Sequence, residues 1–160
     1  MSQRTTILNT LIAHIATATA SAGFRGMRFL HEINSFPAFY IHPQNESRVH
    51  EGAGESYAIC AISIRGYEYS DSLDRIEDYM REIEESIQTY ARAYPSLVDD
   101  ARVISLRTDE GVMAPYGIVD MQLEVLYSVD YYYNKLGPIL ADSTLVTADS
   151  TIYTADRGTK

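Results

Sequence analysis

The sequence predicts an α+β fold: a mostly antiparallel sheet with two helices packed on one face, plus a C-terminal extended arm. Three observations carry this. Two segments repeat apolar residues at steps of three and four, the period of a helix. The segment from Val119 to Tyr131 alternates apolar and polar residues without a break, the period of a strand with one face on a core and the other in water. The element order is helix, strand, strand, helix, strand, strand. A hairpin after each helix suits antiparallel pairing with both helices on one side. With 160 residues, 46% of them hydrophobic, the chain is long enough for one core. Residues 1–137 read as the α+β domain and residues 138–160 as the arm.

The first helix is expected from about Thr5 to Ala22. Ile7, Leu8, Leu11, Ile12 and Ile15 form its apolar stripe, and Gly23 is its expected stop. Asn9, Thr10 and His14 interrupt the apolar run and only Arg4 precedes it, so it reads as a helix and not as a signal peptide. Residues 24–37 are mixed. Pro37 opens a short strand, Ala38 to Ile41. His42 to Ser56 (HPQNESRVHEGAGES) is rich in proline, glycine and polar groups and reads as a long exposed loop. In Tyr57 to Tyr67 both alternating faces are largely apolar, which predicts a central strand covered on two sides.

Ser70-Asp71-Ser72 supplies an N-cap for the second helix, and Asp74, Glu77 and Asp78 suit the positive end of its dipole. Leu73, Ile76, Met80, Ile83, Ile87 and Tyr90 are its buried stripe. It should end near Tyr94, before Pro95. Asp78, Glu82, Glu84 and Glu85 are its outer face. Ala101 to Thr108 is a strand, turned by Asp109-Glu110-Gly111. The strand from Val119 to Tyr131 would be about 40 Å long at roughly 3.3 Å per residue, more than the core needs, so part of it should pair beyond the core. Tyr131, Tyr132 and Tyr133 end it. Tyrosine offers large contact area at low entropy cost, which marks the triplet as a self-association surface. The tail then repeats itself every seven residues, Ala141-Asp142-Ser143-Thr144-Leu145-Val146-Thr147 against Ala148-Asp149-Ser150-Thr151-Ile152-Tyr153-Thr154. Its β-branched chemistry suits a short hairpin, a loose tail, or an arm that adds to a neighbour's sheet edge.

Several function classes are disfavoured. The net charge of −9 and pI of about 4.8 give no general attraction for the outside of DNA or for an anionic membrane. The single cysteine, Cys60, rules out an intrachain disulfide and a four-cysteine zinc site. No stretch approaches 18 apolar residues. There is no phosphate loop, since Gly52-Ala53-Gly54 is too short and opens no helix. His42 and His50 share a loop with Glu46 and Glu51, but at no known metal spacing. His14 lacks an i+4 partner. Cys60 lies among apolar residues, where a thiol is inert, and Glu84-Glu85 read as a solvated helix face. The expectation is therefore no cofactor, no metal, no catalytic residue and no enzyme activity, but a structural or assembly protein.

The second half carries a family pattern. The amphipathic helix is followed by Ala101-Arg102-Val103-Ile104-Ser105-Leu106-Arg107-Thr108-Asp109-Glu110-Gly111, then Ala114-Pro115-Tyr116-Gly117, then the long strand through Val125-Leu126-Tyr127. Pro37-Ala38-Phe39-Tyr40-Ile41 and the Tyr57–Arg65 strand fit the same plan. This resembles the tail terminator and minor tail proteins of long-tailed (siphovirus) bacteriophages, most closely the terminators of the T-five-like group. The resemblance spans about residues 5–133.

The resemblance implies a non-enzymatic virion protein that forms a ring, typically a hexamer, at the head-proximal end of the tail. Such a ring caps the tail tube, ends its polymerisation and presents the surface that joins the head. The implied partners are further copies of the chain, the tail tube protein and a head-completion or neck protein. Double-stranded DNA passes through without specific binding, no membrane is involved, and assembly takes place in the host cytoplasm. The loop 42–56, with Arg48 and His50, and the Asp109–Tyr116 turn, with Glu110, are the expected axial contacts. Asp120, Gln122, Glu124 and Asp130, on the water side of the long strand, are the expected channel lining. An acidic wall would repel DNA where a basic one would hold it. The acidic face of the second helix competes for that role. The rival readings are a head-completion or neck adaptor, a minor tail protein and, in another class, a small metal- or ligand-binding domain built on the histidine loop.

Overall fold

The computed structural model describes residues 2–51, 55–70, 72–109 and 115–129. Two helices lie on one face of a five-stranded sheet of order β1-β2-β3-β5-β4. The strands are β1 (Ala22–Arg25), β2 (Ala38–Glu51), β3 (Glu55–Tyr69), β4 (Asp100–Thr108) and β5 (Tyr116–Ser128), with helices α1 (Gln3–Thr19) and α2 (Leu73–Ala93). β1 pairs with β2 in parallel, and every other pairing is antiparallel. The α+β reading holds. The extended arm, Glu110, Asp130 and the Tyr131–Tyr133 triplet lie outside the described residues.

α1 is capped by Ser2, whose hydroxyl accepts from the Thr5 N–H at 3.3 Å. It buries Ile7, Leu8, Leu11 and Ile15, the expected stripe, with Ile12 packed at the margin. It stops earlier than expected, at Ala20, which adopts the left-handed conformation at φ 51°. Gly23 is thus not its stop but a residue of β1. A Cβ there would lie 2.7 Å from both Ile12 and Phe39, so the missing side chain lets helix and sheet approach.

The expected loop from His42 to Ser56 is mostly strand. β2 and β3 pair from Ala38↔Tyr67 out to Glu51↔Glu55, with a bulge between Pro43 and Asn45. Proline is tolerated there because β1 ends its pairing at Ile41, so the missing N–H faces an unpaired edge. The composition signalled a loop, but the polar residues are those of an edge strand with one face in water.

β3 is central, but the described residues do not cover both of its faces. Ala58, Cys60, Ile62 and Ile64 are buried under the helices, while Tyr57, Ile59, Ala61 and Ser63 are only half-buried on the opposite face. Among the described residues, that outer face is roofed only at its Tyr67 end. There the connection between β1 and β2, with a short 3₁₀ turn at Leu30–Glu32, builds a second cluster of Ile33, Ala38, Tyr40 and Tyr67.

β5 alternates as read: Val119, Met121, Leu123, Val125 and Tyr127 are all buried. Its described length does not reach beyond the core. Every residue from Tyr116 to Ser128 pairs with β3, which is itself 15 residues long. In α2 the buried stripe is Ile76, Tyr79, Ile83, Ile87 and Tyr90. Leu73, expected in it, is exposed, and Tyr79 takes the place expected for Met80. Gly66 on β3 makes the room, since a Cβ there would lie 3.0 Å from the Tyr79 ring.

Candidate functional site

With both helices on one face, the described residues leave most of the outer face of β2, β3, β5 and β4 open. The register sets its residues in rows. Tyr40, Arg65, Asp120 and Arg107 share one row, and His42, Ser63, Gln122 and Ser105 the next. Asn45, Ala61, Glu124 and Arg102 follow, then Ser47, Ile59, Leu126 and Asp100. Three of the four expected channel residues, Asp120, Gln122 and Glu124, therefore stand side by side on the open face. Asp130 lies outside the described residues.

The carboxylates on this face are not bare. Arg65 donates to Asp120 twice, from Nε at 2.6 Å and from an Nη at 2.8 Å. This bidentate bond pushes the Arg65 guanidinium pKa above its ordinary value, against the opposing effect of partial burial. Arg102 donates to a single oxygen of Glu124 at 3.2 and 2.8 Å, which raises its pKa too. Gln122 donates to Ser63 at 3.4 Å. Among the described side chains, Arg65, Arg102 and Arg107 balance Asp100, Asp120 and Glu124. By these side chains the described part of the face is close to neutral within a chain of net charge −9, and two of the three carboxylates, Asp120 and Glu124, are ion-paired. In α2, Asp74, Glu77, Asp78, Glu82, Glu84 and Glu85 outnumber Arg75, Arg81 and Arg92. The excess acid thus includes the helix side, and the pairing partners on the sheet were not legible from alternation alone.

The other expected contacts are dispersed. Tyr116 is half-buried in an aromatic group with Phe36 and Tyr69, at centroid distances of 5.5 and 5.2 Å. Asp109 closes the β4–β5 connection: its N–H donates to the Ile118 carbonyl and its carboxylate accepts from the Ile118 N–H, both at 3.1 Å. Arg48 pairs with Glu46 at 2.9 Å on the helix side of β2. Glu46 also accepts from the Tyr127 hydroxyl at 2.8 Å and lies 3.8 Å from Arg4, joining α1, β2 and β5. Burial pushes the Glu46 carboxyl pKa up, but the Tyr127 and Arg48 hydrogen bonds and the arginine charges outweigh it and hold it below the usual range. The side chain of His50 lies outside the description.

The groups weighed for chemistry have structural duties. His14 bonds the Ser86 carbonyl at 3.0 Å and Thr89 at 3.2 Å and packs on Tyr90 and Tyr94, linking the two helices. Its partners come from α2, out of reach of an i+4 search. Burial pushes the Cys60 thiol pKa up, the direction of an inert cysteine. Among the described residues no three of His, Cys, Asp and Glu gather as metal ligands, and no helix is long and apolar enough to cross a membrane.

No family model matches the chain. The tail tube terminator protein p142 of Escherichia phage T5 is 26% identical to it over 109 residues, covering 60% of this chain and 68% of that protein. The chain resembles a phage tail terminator. The terminator-like chain also superposes on one from the virion of a native gene transfer agent (GTA) particle, with a TM-score of 0.40 and 10% identity, over 74% of this chain and 84% of that one.

Proposed function

We propose that the chain is a structural protein of a long-tailed phage that assembles, typically six copies to a ring, at the head-proximal end of the tail tube. There it ends tube polymerisation and presents the surface to which a head-completion or neck protein docks. The observation that carries this reading, beside the likeness to the T5 terminator, is the two-sided sheet: helices cover one face, and the other, left open by the described residues, carries the pairs Arg65–Asp120 and Arg102–Glu124.

In the proposed ring the helices face outward and the open face lines the channel. Neutrality is the useful property there. A wall of free arginines would release counterions from passing DNA and bind it, whereas arginines already satisfied by Asp120 and Glu124 have little left to give. The carboxylates thus act by occupying the cations beside them, more than by repelling DNA outright. No step in this role calls for a catalytic residue, metal or cofactor. The proposed site is the virion, with assembly in the host cytoplasm.

The experiment is to add the purified chain to polymerising tube protein. Growth should stop, with the chain found at one tube end. Decoration along the whole tube, or unaltered growth, would contradict the reading.

A further inference from the structure

Both borders of the four long strands are left unpaired by strands among the described residues. β4 pairs only with β5, leaving nine residues of outer edge. β2 loses its β1 partner after Ile41, leaving its outer edge without a strand from His42 to Glu51. An unpaired edge is a template for another strand.

We infer that β4 of one copy pairs with the outer edge of β2 of the next, so that the sheet continues from subunit to subunit. This rests on the ring reading above. Direction argues for it. β2, β3, β5 and β4 alternate strictly, so β2 and β4 run in opposite senses. Rotation about an axis inclined to the strands by well under a right angle preserves those senses, so β4 meets the neighbour's β2 antiparallel, as at the other joins between these four strands. The register sets β4 level with Phe39–Ser47, so a strand tilt of the size found in closed barrels, roughly 35–45°, slides it clear of β1 and onto the free stretch from His42 to Glu51, with Ile104 brought towards Ser47. Each edge also exposes one large aliphatic side chain, Ile104 at 54% and Val49 at 45%. The two edges differ, so the contact is heterologous, the kind that closes into rings or runs on as filaments. Bulges at Pro43/Asn45 and Val103/Ser105 guard both edges, but neither strand carries a lysine, and Asn45 to Glu51 runs on beyond the proline.

The test uses the full chain bound to tube ends. Ser47→Cys and Ile104→Cys are introduced singly and together, both at exposed positions, and a flexible thiol-to-thiol linker is added. Buried Cys60 serves as the background control. The double variant should give a ladder of linked species ending at the ring size, and each single variant should give monomers. A ladder from either single variant, or monomers only from double-variant chains that still cap tubes, would overturn the edge pairing and leave the capping reading standing. Failure to cap tubes by the unaltered chain would instead defeat the capping reading, and the edge pairing with it.

Discussion

Arg65 on β3 and Asp120 on β5 face each other across the open side of the sheet, joined by hydrogen bonds of 2.6 and 2.8 Å. The register that pairs them directly also places Arg107 of β4 on the far side of Asp120. One carboxylate therefore stands between two cations, and removing it leaves the face basic.

Asp120→Asn combined with Glu124→Gln should make that face grip DNA. Purified rings or capped tails carrying both changes should retain double-stranded DNA at low salt and release it as salt rises, where the unaltered protein retains none. Fold stability should change little in a denaturant titration, because these side chains are exposed to solvent and screened. Unchanged DNA retention would remove the open face from the channel.

Two buried tyrosines on α2 should respond oppositely to loss of the hydroxyl. The Tyr90 hydroxyl donates to the Ile7 carbonyl at 3.0 Å and lies 2.6 Å from Thr10, tying α2 to α1. The Tyr79 hydroxyl is buried with no hydrogen-bond partner of good geometry among the described residues. Tyr90→Phe should destabilise by about 1 kcal/mol, and Tyr79→Phe should be neutral or stabilising by up to about 1 kcal/mol. Chemical denaturation of both variants measures the difference.

Gly117 is a close contact of β5 with α2. A Cβ there would lie 2.3 Å from the Ile76 side chain. Gly117→Ala should lower stability by about 1–3 kcal/mol through overpacking, and the double variant with Ile76→Ala should lose less than the two single losses summed. Strictly additive losses in the double variant would contradict the proposed clash.

Acid should unfasten the Glu46 network. The folded-state pKa of Glu46 lies below its ordinary 4.5, so its contribution is present above pH 4.5 and disappears as pH falls through the folded value. Glu46→Gln should be less stable than the unaltered chain at pH 7, by about 1–3 kcal/mol. The gap should close below pH 4.5. A gap that stayed constant with pH would show that packing, not charge, holds this corner.

The parts of the fold legible in the sequence are those with long, regular periods. The inward residues of β5 and most of the α1 stripe are buried as their spacing demands. β1 escaped notice because four residues are too few to show a period. The β2–β3 hairpin was hidden because Pro43 and the polar run suit an edge strand as well as a loop, and only the absence of β1 beyond Ile41 decides between them. The position of Tyr79 depended on Gly66, a glycine in a strand whose use appears only when the helix is laid upon it. The acidic residues of the open face were legible. The arginines that neutralise them were not, because pairing Arg65 with Asp120 requires the register between strands 55 residues apart in sequence.

Electron microscopy of tails assembled in the absence of this chain tests the central claim most directly. Tubes of irregular, excessive length without attached heads are the predicted result. Tails of normal length joined to their heads would contradict it.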